Sequence, residues 1–154
     1  MKRRARDRQT GRYVKSLAAR VERTERTLRD WRERPFQWCC VHLARAHARN
    51  MGHRKLPVVP DVASAADAVR ALKAMGYRSI AEMMDAHFER LQAPAFALVG
   101  DLLLLPGEDG RADVLGAIGI ADGAGNIWAW HDAGTGKLDV IKQAQAAAVA
   151  GWRL

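Results

Sequence analysis

This chain of 154 residues has only two cysteines, and they are adjacent, Cys39 and Cys40. Neighbouring cysteines bridge each other only with strain, so there is no disulfide framework and nothing asks for an oxidising compartment. A zinc site would need paired ligands at set spacings. Cys39, Cys40, His42 and His47 do not supply them, and no second cysteine cluster exists. No metal and no cofactor is therefore expected. The longest apolar runs, Leu102–Leu105 among them, are far too short to cross a bilayer, so no membrane span is expected. The basic N-terminus lacks an apolar core segment and does not read as a signal peptide. The glycines read as turns, with no phosphate-binding loop among them.

What the chain does have is apolar content for a core, at 49% of residues, and a net charge of +8. The length fits one domain with a small appendage. The charge is lopsided: residues 1–34 hold 13 Lys/Arg against 5 Asp/Glu, and the remaining residues hold 12 of each. That divides the chain into a basic N-terminal tail and helix (1–34) and a neutral globular part (35–154). A basic arm suits nucleic acid or an acidic partner, or it is the solvated face of a helix. Nucleic acid is the less favoured partner.

Val14, Leu17, Val21, Thr24, Leu28 and Trp31 alternate in spacings of three and four, one narrow helical seam from Arg12 to about Arg32. Such a short seam is unstable alone and must lie on its own domain or on a partner subunit. Val14, Leu17, Val21, Leu28 and Trp31 are its candidate interaction residues. After the Pro35 break a second helix is expected from Cys39 to Met51, stopped by Gly52. A cysteine in the first turn of a helix faces unpaired N–H groups and the positive end of the dipole, which favour thiolate. The alternative is that Cys39 and Cys40 are small buried residues. His47 lies about 10.5 Å along the axis from Cys40, too far for a dyad, and reads as a packed helix residue.

Ser64-Ala-Ala-Asp67 and Ser79-Ile-Ala-Glu82 are capping boxes opening two further helices, the second expected to run to about Pro94. Strands are expected at Phe96–Val99, Leu102–Leu105, Val114–Ile120, Asn126–His131 and Leu138–Ile141, followed by an alanine-rich helix over Gln143–Ala150. Helices first and antiparallel strands afterwards describe an α+β domain.

In this order the residues resemble the NlpC-like cysteine peptidases of the papain-like clan, and within them a phage-tail subfamily of cell-wall peptidases. The family's Asp-Cys-x-x-Leu matches Cys39-Cys40-Val41-His42-Leu43, which makes Cys40 the nucleophile's equivalent. Its Gly-Asp-Leu matches Gly100-Asp101-Leu102. Its His-Val-Gly-Ile strand, glycine turn and next strand match Ala117–Ile120, Gly123–Gly125 and Ile127–His131. Trp31, Pro35, Phe36 and Trp38 match the subfamily's opening segment, and Trp152-Arg153 its closing pair. The resemblance covers about residues 31–154 and implies a papain-like fold, a place in the virion tail after synthesis in the host cytoplasm, other tail-tip proteins as partners, and peptidoglycan as the substrate of an active form.

Two departures stand out. Ala117 occupies the place of the general-base histidine, and Trp38 runs straight into Cys39 where the family has a glycine-rich loop and Asp. A cysteine peptidase needs an imidazole beside its sulfur to take and return a proton, which alanine cannot do. His131, displaced by two residues from the family's third polar position at Ala129 but on the same strand face, is the candidate substitute base; otherwise it is a solvent-facing strand end. Two functions follow as expectations. One is a degenerate, mainly structural tail-tip protein. The other is an active peptidase that opens peptidoglycan through a Cys40 thioester with His131 as base.

Overall fold

The computed structural model describes residues 15–36, 40–107, 116–130 and 136–154. Among these, four helices precede all of a six-stranded sheet: α1 (Leu17–Trp31), α2 (Val41–Asn50), α3 (Ala65–Ala74), α4 (Ile80–His87), β1 (Glu89–Arg90), β2 (Leu102–Leu105), β3 (Ala117–Ala121), β4 (Ile127–Ala129), β5 (Asp139–Ile141) and β6 (Ala150–Arg153). Every pairing is antiparallel, and the order across the sheet is β1-β6-β2-β3-β4-β5. The protein is α+β, as its order of elements predicts. Among the described residues no helix is long and apolar enough to cross a membrane.

The helices begin where the sequence offers an acceptor for their unpaired first-turn N–H groups. Ser64 Oγ accepts from the Asp67 N–H at 3.1 Å, and Ser79 Oγ from the Glu82 N–H at 3.0 Å. Glu82 reaches back to the Arg78 N–H at 2.7 Å, which completes the second box one residue early. Ser79→Ala is expected to cost about 1 kcal/mol in a urea melt, and a loss below ~0.3 kcal/mol would mean that the cap contributes little.

Three expectations change. The helix opened by Ser79 stops at His87 rather than near Pro94, because Glu89–Arg90 leave it to pair with Arg153 and Trp152 as β1. Phe96–Val99 is not a strand; Pro94–Phe96 form a 3₁₀ turn that ends in loop. The alanine-rich stretch is not an α-helix either. A 3₁₀ turn covers Ala144–Ala147 after a left-handed Gln143 (φ 57°), and Ala150 already belongs to β6, deep in the sheet. Small residues serve close packing here. A Cβ on Gly151 would come within 2.7 Å of Leu103 Cδ2, and one on Gly119 within 2.7 Å of the Trp128 carbonyl. These glycines lie inside strands, not in turns.

Alternation along the strands separates two apolar layers. Leu102, Leu104, Ile118, Ile120, Trp130 and Trp152 face the helices and join Leu43, Met51, Met83 and Met84 in the main core. Leu103, Ala121, Ile127 and Ala129 face the other way, under Ala144 and the second 3₁₀ turn. Each fully buried leucine contributes about 2 kcal/mol through removal from water.

The α1 seam is rotated from the expected one. Its buried face is Arg20, Thr24, Thr27 and Leu28, with Trp31 half-buried against the core. Leu17 and Val21 are exposed, and Val14 lies outside the described residues. Leu28 and Trp31 therefore pack on the chain's own core. The helix lies on its own domain, and a buried ion pair holds it there: Arg20 Nη2 meets Asp101 Oδ1 at 2.5 Å, its Nε donates to the Val99 carbonyl at 2.9 Å, and Nη1 donates to the Leu154 carbonyl.

Candidate functional site at the start of α2

Cys40 is the N-cap residue of α2, with backbone angles already helical (φ −65°, ψ −14°), and its side chain makes no capping bond. The sulfur turns instead to the start of β3. The Ile118 N–H donates to Sγ at 3.3 Å, and the thiol points at the Gly116 carbonyl 3.8 Å away. The half-buried side chain packs against the main core. The residue between these two backbone partners is Ala117, itself half-buried. The strand that approaches the sulfur thus meets it with backbone groups, and Ala117 brings no imidazole.

The segment leading into this site is tied to the far side of the sheet. The Phe36 N–H donates to the Gly136 carbonyl at 2.9 Å, and Pro35 bridges to Lys137. Trp130 sends its indole N–H to the Arg34 carbonyl at 3.2 Å, while its ring meets Trp31 edge-on at 6.0 Å and Phe36 at 6.1 Å. Trp31, Phe36 and Trp130 therefore act as one aromatic clamp that fixes the chain before α2. Trp128, on the same strand face as Trp130, lies under the Arg32 guanidinium at 5.6 Å.

His131, Cys39 and Trp38 lie outside the described residues. The four described histidines are each engaged elsewhere. His42 Nε2 lies 3.4 Å from Asp61, the Tyr77 hydroxyl meets His87 at 3.1 Å, and His53 packs edge-on against Phe88 at 5.4 Å. His47 is fully buried between α1 and the loop before β2. Its Nε2–H donates to the Gly100 carbonyl at 2.8 Å, so Nδ1 accepts, and the Thr27 hydroxyl donates to it at 2.8 Å. The Asn50 amide then donates to Thr27 Oγ1 at 2.9 Å. Burial pulls the His47 pKa from an ordinary 6.5 down to about 4, against the pull of the Gly100 carbonyl. The ring is a neutral core residue, as the helix spacing indicated, and no base for Cys40.

Gly100 makes that bond possible. Its φ is +84°, and a Cβ there would meet Thr24 Oγ1 at 2.6 Å. Asp101 follows it and is fully buried. Its carboxylate takes Arg20, the Leu98 N–H at 2.8 Å and the Leu154 N–H at 3.2 Å, with Arg153 Nε at 3.4 Å. The Gly-Asp-Leu element is thus a structural hub. Sequence reasoning singled out the motif but missed its partner, since Arg20 lies on a helix rich in arginines and nothing local marks it as the buried one. Among the described residues, no group of three or more His, Cys, Asp or Glu side chains is placed to hold a metal ion.

The fold and site together define an α+β domain with one cysteine at a helix start, set against the second of its long strands. Its residues 15–154 match the model of DUF6950, a domain of unknown function, and the chain belongs to that family. No curated protein and no solved structure matches it. The family match begins before α1, in keeping with the bonds that tie this helix to the sheet.

Proposed function

We propose that the protein is a tail-tip or tail-assembly component of a phage, built on an NlpC-like peptidase scaffold whose proton-transfer machinery has been lost. The observation that carries this reading is the pairing of Cys40 with the Gly116–Ile118 backbone, with Ala117 between the two contacts. In the resembled family the nucleophile at the helix start faces a histidine on this strand. A cysteine at the matching helix start and an alanine at the matching strand position support kinship and loss together. Removing a general base costs about 10²–10⁴ in rate. The tail setting rests on the motif order in the sequence, and the aromatic clamp supports it by giving the Trp-x-x-x-Pro-Phe segment a structural role.

Incubation of the purified protein and its Cys40→Ala variant with peptidoglycan tests the reading. The expected result is that neither releases peptide fragments. Turnover that disappears in both Cys40→Ala and His131→Ala would replace it with the second reading, an active peptidase with His131 as base. That alternative draws its support from the half-buried sulfur retained at the helix start.

A further inference from the structure

We propose that the groove between α1 and α2 binds an acidic segment of a partner protein, through Arg34, Arg45 and Arg49. The two helices pack antiparallel through the buried Thr27–His47 contact, and their outer edges leave an open cleft of about 490 Å³. Arg34 and Asp30 line it from the α1 side, and Arg45, Arg49 and Asn50 from α2, with Trp31 between them.

What sets this cleft apart is that three guanidiniums line it together. On the rest of the described surface Arg26 pairs with Glu22, Arg70 with Asp67, Arg78 with Glu82 and Arg90 with Asp85, while Arg23, Arg29, Arg32 and Arg54 make no ion pair but do not line this cleft. Among the described residues, Arg34, Arg45 and Arg49 have no carboxylate within ion-pair distance. Two of the three are also held in place. Arg34 Nε donates to the Asp30 carbonyl at 3.1 Å while its guanidinium lies 4.4 Å from the centre of the Trp31 ring. Arg45 Nε donates to the Leu56 carbonyl at 3.3 Å. Prepositioned guanidiniums lose less side-chain entropy on binding, and their remaining N–H groups suit carboxylates or phosphates.

Asp30 decides between those two anions. A DNA backbone would bring phosphates against this carboxylate and has no donor for it. A peptide brings both, carboxylates for the arginines and backbone N–H groups for Asp30. Spacing agrees with an extended segment. Arg45 and Arg49 are about 6 Å apart along α2, and acidic residues two apart on an extended strand are separated by about 6.6 Å. Cys40 is not among the residues lining the cleft, and the site stands or falls independently of the function proposed above.

The probe is a fluorescein-labelled peptide alternating glutamate with serine, titrated into the full chain at low salt, beside its glutamine counterpart and a thymidine oligonucleotide. Binding of the glutamate peptide is expected, weakening about tenfold or more in Arg45→Glu/Arg49→Glu and less than ~2-fold in Arg26→Glu, which lies outside the groove. In amide-correlation spectra the Trp31 indole and Asn50 side-chain signals should move with the peptide. Equal affinity in the groove variant, shifts confined to other residues, or tighter binding of the oligonucleotide at the same signals would overturn the proposal. Circular dichroism of each variant separates lost binding from lost fold, and Cys40→Ala should bind the peptide unchanged whatever the peptidoglycan result.

Discussion

Replacement of Arg20 by methionine is expected to remove about 3–5 kcal/mol of stability, much of what a domain of this size has. Methionine keeps most of the aliphatic volume, so the loss would come from Asp101. That carboxylate is fully buried, and without its guanidinium partner it keeps only two backbone N–H groups and the partly exposed Arg153. The cost is that of an abandoned buried charge, which exceeds the net value of the pair itself. Arg20→Met/Asp101→Asn should therefore recover part of the deficit, since a neutral amide removes the buried charge; its single oxygen can accept only one of the Leu98 and Leu154 N–H bonds, which go to different carboxylate oxygens in the parent. Urea melts of the two variants and the parent at neutral pH make the comparison. A single-variant loss below ~1 kcal/mol would show that the pair is poorly formed or well hydrated.

Acid should weaken the fold through His47. The unfolded imidazole titrates near 6.5 and the buried one near 4, so the unfolded chain binds more protons throughout that window. The stabilising contribution is complete above pH 6.5 and is lost as pH falls toward 4, by about 3 kcal/mol from this one group between pH 7 and 4. Protonation would place a second donor at Nδ1 and a charge among Leu43, Met51 and Thr27, where water does not reach. Urea melts across this range should show the slope in the parent and lose that share of it in His47→Gln. If the variant is too unstable to melt cleanly, the His47 ring signals answer instead. They are expected to stay at their neutral positions down to about pH 4, and titration near 6.5 would refute the buried neutral ring.

Some parts of this structure were legible in the sequence for identifiable reasons. Ser64 and Ser79 announced their helices because a cap is a local event, settled within four residues. Cys40 at a helix start, His47 as a packed residue, and the Asp122–Gly125 turn were readable on the same ground. In that turn Asp122 accepts the N–H groups of Ala124 at 2.7 Å and Asn126 at 3.0 Å. What was not legible depends on distant partners. The α1 seam was assigned by hydropathy, which counts arginine as outward, yet Arg20 turns inward because Asp101, 81 residues later, awaits it. Leu17 and Val21 are left outside by the same rotation. The alanines of 144–150 have high helix propensity, but Ala150 and Gly151 fit beside β2 where a larger residue would collide, and sheet packing prevails over local preference. The groove arginines escaped notice for a similar reason, since their joint isolation from carboxylates is a property of two packed helices.

The outermost strands of the sheet bear on how such a protein survives at high local concentration. β1 is two exposed residues, Glu89 and Arg90, and β5 is three, opened by the exposed Asp139 and set between Lys137 and Lys142. Short, charged rails of this kind offer a neighbouring chain few free backbone groups, and the apolar middle of the sheet stays out of reach. Copies crowded together are thereby protected from zipping into fibrils, and contacts between subunits are directed to side-chain surfaces, where the chemistry of recognition can be selective.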